Sequence, residues 1–129
     1  MVRMPSHRPS NSQLEHGPIF SWYRDHNGLI FTSGHASVEV DSLNIALGGL
    51  ASETTATLNN LKRTLERAGS QLDNVLKVTA YITDMNQFAV FNSVYAKFFP
   101  GPRVPARTCV EVSRLPFNFK VEIEAIAHI

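Results

Sequence analysis

At 129 residues, with 43% hydrophobic and 18% charged residues, the chain has the length and composition of one globular domain. Its single cysteine, Cys109, excludes an internal disulfide and a multi-thiolate zinc site, and a net charge of +1 offers no basis for a nucleic-acid or anionic-membrane partner. No apolar stretch is long enough to span a bilayer and the N-terminus lacks the apolar core of a signal peptide, so a cytoplasmic location is expected.

Residues 1–16 read as a flexible leader, in which Pro5 and Pro9 interrupt any helix, and residues 17–129 as one domain. Gly17-Pro18 closes the leader. Ile19 to Tyr23 form the first candidate strand, followed by the turn cluster Arg24 to Gly28 and a second strand from Leu29 that ends at Thr32-Ser33-Gly34; Asn-Gly between apolar runs signals a hairpin. Val38 to Gly49 is polar and glycine-marked, which predicts a loop with a short strand. From about Ala51, Thr54, Leu58, Leu61, Leu65 and Ala68 recur at steps of four and three, one face of an amphipathic helix that Gly69 stops.

Val75 to Thr83 alternates Leu76, Val78, Ala80 and Ile82 with more polar neighbours, a strand with one buried face. Asp84 can cap a second helix whose apolar stripe is Phe88, Phe91, Tyr95 and Phe98, with the spacing of a core-facing surface. Pro100-Gly101-Pro102 ends it. Ala106 to Val112 and Lys120 to Ile129 are the last two strands. The order hairpin, helix, strand, helix, strand, strand predicts an α+β sandwich with both helices on one sheet face.

Alternation in the strand from Ala106 puts Arg107, Cys109 and Glu111 on one side and Thr108, Val110 and Val112 on the other. The apolar triplet is expected to face the helices, which turns Arg107 away from them. Glu122 and Glu124 share the polar face of the last strand. If these strands are neighbours, an arginine, a thiol and a carboxylate meet on the sheet face away from the helices, a face that identical subunits would cover. A guanidinium grips a carboxylate through a planar fork, and a nearby glutamate can aim or deprotonate a water. An arginine beside glutamates is, however, more often a structural ion pair, and a lone cysteine on a strand more often a small buried hydrophobe.

The run PARTCVEVSRLP from Pro105 to Pro116, followed by VEIEAIA from Val121 to Ala127, closely resembles the C-terminal signature of the RidA family, also called YjgF. NNLKRTLERAG in the first helix, FAVFNSVYAKFFP in the second, Gly17-Pro18 and Thr32-Ser33-Gly34 extend the resemblance over nearly everything after residue 16. It implies a chorismate-mutase-like α+β sandwich with a mixed sheet, assembled as a homotrimer with a ligand cleft at each subunit interface. The implied activity is hydrolysis of 2-aminoacrylate-type enamines, or imines such as 2-iminopropanoate, to 2-keto acids and ammonia, with no metal or organic cofactor.

By position, the resemblance assigns Arg107 to the substrate carboxylate and Glu122 to the attacking water, with Ser33, Gly34, Cys109 and Asn92 lining the cleft. Where the family usually has a cleft-lining Tyr this chain has Ile19, and His35 stands where Gln is common. A residue also appears inserted between Gly17 and Ser33. His35 near a loop reads more readily as a surface residue than as a catalytic one, although it has the chemistry to donate to a ligand. Ile19 points to larger or less polar imines. The competing readings are a pathway-specific deaminase of an aminomuconate-like acid, a trimer that binds a small carboxylate without turnover, and ribonuclease activity, which the charge balance does not favour.

Overall fold

The computed structural model describes residues 19–38 and 44–129; the leader, Gly17 and Pro18 lie outside that range. Strands β1 (Tyr23–His26) and β2 (Leu29–Thr32) form the expected hairpin. Its turn is Asn27-Gly28 alone, both at positive φ (51° and 80°), as a two-residue hairpin loop demands. The first strand therefore begins at Tyr23 instead of Ile19. Arg24, Asp25 and His26 belong to the strand and not to the turn, a placement that an edge strand tolerates because its side chains stay in water.

The short strand expected between Val38 and Gly49 falls largely on residues 39–43, outside the described residues; within the described part an isolated bridge joins Val38 to Ile45. Helix α1 (Leu50–Arg67) follows, its buried face including Leu58, Leu61 and Leu65. Gly69 ends it at φ +86°, with Gly69 N donating to Glu66 O (3.1 Å) and Ser70 N to Leu65 O (2.8 Å), the paired bonds of a Schellman stop. Glu53 is buried at the other end of α1. Its carboxylate accepts from Gly48 N (3.0 Å), Lys120 N (2.9 Å) and Lys120 Nζ (3.3 Å), tying the helix start to the loop that feeds the last strand.

Strand β3 (Val75–Ile82) buries Val78, Ala80 and Ile82 as predicted, but Leu76 is 49% exposed. A register shift between Val75 and Lys77 inserts an extra residue there and breaks the alternation. Asp84 accepts from Asn86 N (3.0 Å) at a short turn that leads into α2 (Phe88–Phe98). Strands β4 (Ala106–Glu111) and β5 (Val121–His128) complete a five-stranded sheet of order β1-β2-β5-β3-β4. All pairings are antiparallel except β3 with β4, so the sheet is mixed.

The two helices among the described residues, α1 and α2, lie on one sheet face. There Leu58, Leu61 and Leu65 of α1 and Phe91 and Tyr95 of α2 meet Val78, Ala80, Ile82, Val121, Ile123 and Ala125 in a single core. The other face carries Phe31, Lys77, Thr79, Tyr81, Thr108, Val110, Glu122, Glu124 and Ile126; Phe31 is 42% and Val110 38% exposed.

The sequence-based orientation of β4 is reversed. Parallel pairing aligns Arg107 with Val78 and Cys109 with Ala80, residues that point at the helices, so Arg107 and Cys109 face the helices as well. Thr108 and Val110 point away. In an edge strand the weak apolar alternation does not decide the face; the register on β3 does, and the rings of α2 give a guanidinium a place on the helix side. Nor are β4 and β5 neighbours, because β3 separates them.

Candidate functional site

The β3-α2-β4 crossover places α2 over the sheet edge that β4 forms, and Arg107 reaches up into the helix. Its guanidinium carbon lies 5.5, 5.7 and 4.8 Å from the ring centroids of Phe88, Phe91 and Tyr95. One amine donates to Asn92 Oδ1 at 2.8 Å. No carboxylate among the described residues pairs with it. A positive charge is thus fixed by neutral groups alone, with most of its five N–H donors unspent.

Burial, opposed by the Arg107 charge, pushes the Tyr95 phenol up to about 12, and its buried hydroxyl has no hydrogen-bond partner among the described residues. Burial also raises the Cys109 thiol, again against the pull of Arg107. A half-buried thiol above its usual range stays protonated at neutral pH, which is unlike a thiolate nucleophile.

A second group of residues gathers at the corner where the chain leaves β2. Ser33 donates its hydroxyl to Ser21 O and its amide to Trp22 O (2.9 Å). Gly34 sits directly on Glu122, so closely that a Cβ at position 34 would overlap the carboxylate. Glu122 lies on the helix-free face of β5, level with Tyr81 of β3. Partial burial and then the neighbouring charge of Glu124 raise its pKa, and burial followed by the charge of Glu124 raises the pKa of Tyr81 beside them.

His35 is interior rather than on the surface, at 1% exposure. Its ring contacts Ser33 O through Nδ1 (2.8 Å) and Thr64 Oγ1 through Nε2 (2.7 Å), and it packs 4.8 Å from the Trp22 ring. Its backbone bridges to Ile123 in both directions, at 2.8 and 2.9 Å. Burial lowers its pKa to about 4. Ile19, the first described residue, is 71% exposed.

The structure therefore brings Arg107, Asn92 and Cys109 together, and separately Ser33, Gly34, His35 and Glu122. It does not join the two groups within one chain: Arg107 is on the helix side of the sheet and Glu122 on the other. In the sequence the rings around Arg107 have only the spacing of a core-facing stripe. Their further role was hinted only by Asn92 interrupting the stripe next to Phe91. Among the described residues, no cluster of three or more His, Cys, Asp or Glu is placed to hold a metal ion, and no helix is long and apolar enough to cross a membrane.

The described residues form an α+β domain with a mixed sheet and two helices, a fold with many solved relatives. Residues 14–129 match the family described as Endoribonuclease L-PSP, and the chain belongs to that family, the RidA family. A RutC family protein of Pyrococcus horikoshii is 46% identical over 100 residues, covering 78% of this chain and 79% of that protein. The 2-iminobutanoate/2-iminopropanoate deaminase of Escherichia coli K12 is 38% identical over 105 residues, covering 80% and 81%. Among solved structures, E. coli TdcF with bound serine superposes with a TM-score of 0.79 at 36% identity, covering 85% of this chain and 87% of that one.

Proposed function

We propose that this protein hydrolyses 2-imino acids, and the enamines that tautomerise to them, to 2-keto acids and ammonia. The observation that carries the reading is Arg107: a guanidinium held in place by three rings and Asn92, without a carboxylate partner among the described residues, is prepared for one from a ligand. With the carboxylate gripped, the imine carbon beside it is already electrophilic. Glu122 orients a water whose oxygen bonds to that carbon while the nitrogen takes a proton. Collapse of the resulting carbinolamine breaks the C–N bond, releases ammonia and leaves the oxygen as the keto group. Positioning supplies most of the acceleration, so neither a cofactor nor an activated nucleophile is required.

Because Arg107 and Glu122 occupy opposite faces of one sheet, the complete site takes Arg107, Asn92 and Cys109 from one copy and Ser33, Gly34 and Glu122 from another. A closed homotrimer satisfies this with three equivalent clefts and covers the sheet face that the helices leave bare. Ile19 favours imines with larger apolar side chains. The setting is cytoplasmic.

Keto-acid release from enzymatically generated imines of alanine and leucine, with Arg107→Ala as control, tests the reading. Acceleration that vanishes in the variant supports it, and no acceleration with any imine overturns it. The serine bound in the TdcF structure favours a second reading, a trimer that holds a small carboxylic acid without turnover. Retention of Glu122 weighs against that reading, because binding alone has no use for a group that places water.

A further inference from the structure

We infer that His35 is a positioning residue, which from its place in the core holds the Ser33-Gly34 corner against the Glu122 carboxylate; the inference rests on the reading of Glu122 as the residue that places water. Gly34 lies between the end of β2 and the bridge from His35 to Ile123, in a stretch without regular structure. It borders Glu122 with no side chain of its own between them, so the position of the corner limits where the carboxylate can lie. A glycine has the widest conformational freedom of any residue, and something must restrict this one.

The His35 ring does so by folding back on the carbonyl two residues upstream, closing a loop around Gly34. A carbonyl only accepts, so Nδ1 carries the proton, and Nε2 is left to accept from the Thr64 hydroxyl of α1. The neutral ring that this pattern needs is the form that burial enforces. Trp22 packs against the ring, and the backbone of Trp22 accepts the Ser33 amide, so ring and corner share a wall. The same burial excludes direct work on a ligand: both nitrogens are engaged and the side chain does not reach the surface. His35 thus couples α1 to the Glu122 half of the site without touching substrate.

The test compares the assembled full-length protein with His35→Leu, His35→Gln and Thr64→Val. The readouts are kcat, KM and the pH profile of imine hydrolysis, together with the 13C titration of the Glu122 carboxyl, which Glu124 and Tyr81 also face. His35→Leu is expected to lower kcat about tenfold and leave KM within about twofold, since the Arg107 half is untouched. It should also move the acid limb and the Glu122 midpoint to lower pH as water reaches the carboxylate. His35→Gln, whose amide can donate to Ser33 O and accept from Thr64, should restore all three.

A folded His35→Leu protein with parental kcat and midpoint overturns the inference, as do equal losses in the Leu and Gln variants, which reduce the ring to packing. If His35→Leu does not fold, Thr64→Val decides: it keeps the volume and frees Nε2, and an unmoved Glu122 midpoint is then the overturning result. Should the parent protein hydrolyse no imine, the deaminase reading fails by itself. The midpoint comparison needs no turnover and still tests His35.

Discussion

Gly34 and Glu122 are in such close contact that position 34 has no room for a side chain while the carboxylate keeps its place. The atom that a Cβ would meet is the far end of a flexible glutamate, and Gly34 itself has no positive φ. Gly34→Ala should therefore fold with little loss of stability and instead displace the carboxylate. The expected outcome is an unchanged melting temperature with kcat reduced on the order of 100-fold. Parental kcat in Gly34→Ala would show that the seat is irrelevant to turnover.

The environment of Arg107 distinguishes its charge from its shape. Lysine keeps the charge but loses the fork, the bond to Asn92 and the flat surface that lies among three rings. Arg107→Lys is expected to lower kcat/KM by about 100-fold, mainly through KM, because the lost contacts bind the acid before and during reaction alike. Steady-state kinetics on one imine suffice, and near-parental KM would mean that charge alone holds the substrate.

Cys109 shares the Arg107 side of β4, yet burial keeps its thiol protonated. Cys109→Ala should retain kcat within about threefold, consistent with a site that works by orientation instead of covalent attack. An inert variant of normal fold would refute this and make the sulfur a reacting group.

The elements were legible where local chemistry decides them. Asn27-Gly28, the stripe of α1 with its Gly69 stop, and the alternation in β5 each encode one structure. What the sequence hid is the facing of β4, because Arg-Thr-Cys-Val-Glu fits either side of a sheet and the parallel register on β3 makes the choice. The separation of Arg107 from Glu122 was hidden for the same reason: strand order, not strand pattern, puts β3 between their strands. His35 read as a loop residue because its partners, Thr64 and Trp22, are remote in sequence or placed by a loop that has no period.

Glu53 offers a test of the frame behind the site. Its buried carboxylate satisfies two amides and the Lys120 ammonium, joining the start of α1 to the loop before β5. Glu53→Ala strands those donors and should cost about 3 kcal/mol, read from urea unfolding. A loss below about 1 kcal/mol would mean that water replaces the carboxylate at no great cost.

The depressed pKa of His35 also makes stability depend on pH, with a sign that follows from its direction. Above its ordinary value of 6.5 the ring is neutral in both folded and unfolded chains and adds no slope. As pH falls below 6.5 the unfolded chain takes up a proton that the folded one refuses until about 4, so stability falls across that window. The shift amounts to about 3 kcal/mol, all of it lost by the time the folded ring titrates. Glu122, whose pKa is raised, contributes the opposite slope, so the parent curve alone is ambiguous. The difference between the parent and His35→Gln isolates the ring: the advantage of the parent over the variant should shrink by about 3 kcal/mol between pH 7 and pH 4 in denaturant titrations. Parallel curves would place the proton on the folded ring without penalty, and the buried, neutral His35 with its two hydrogen bonds would have to be abandoned.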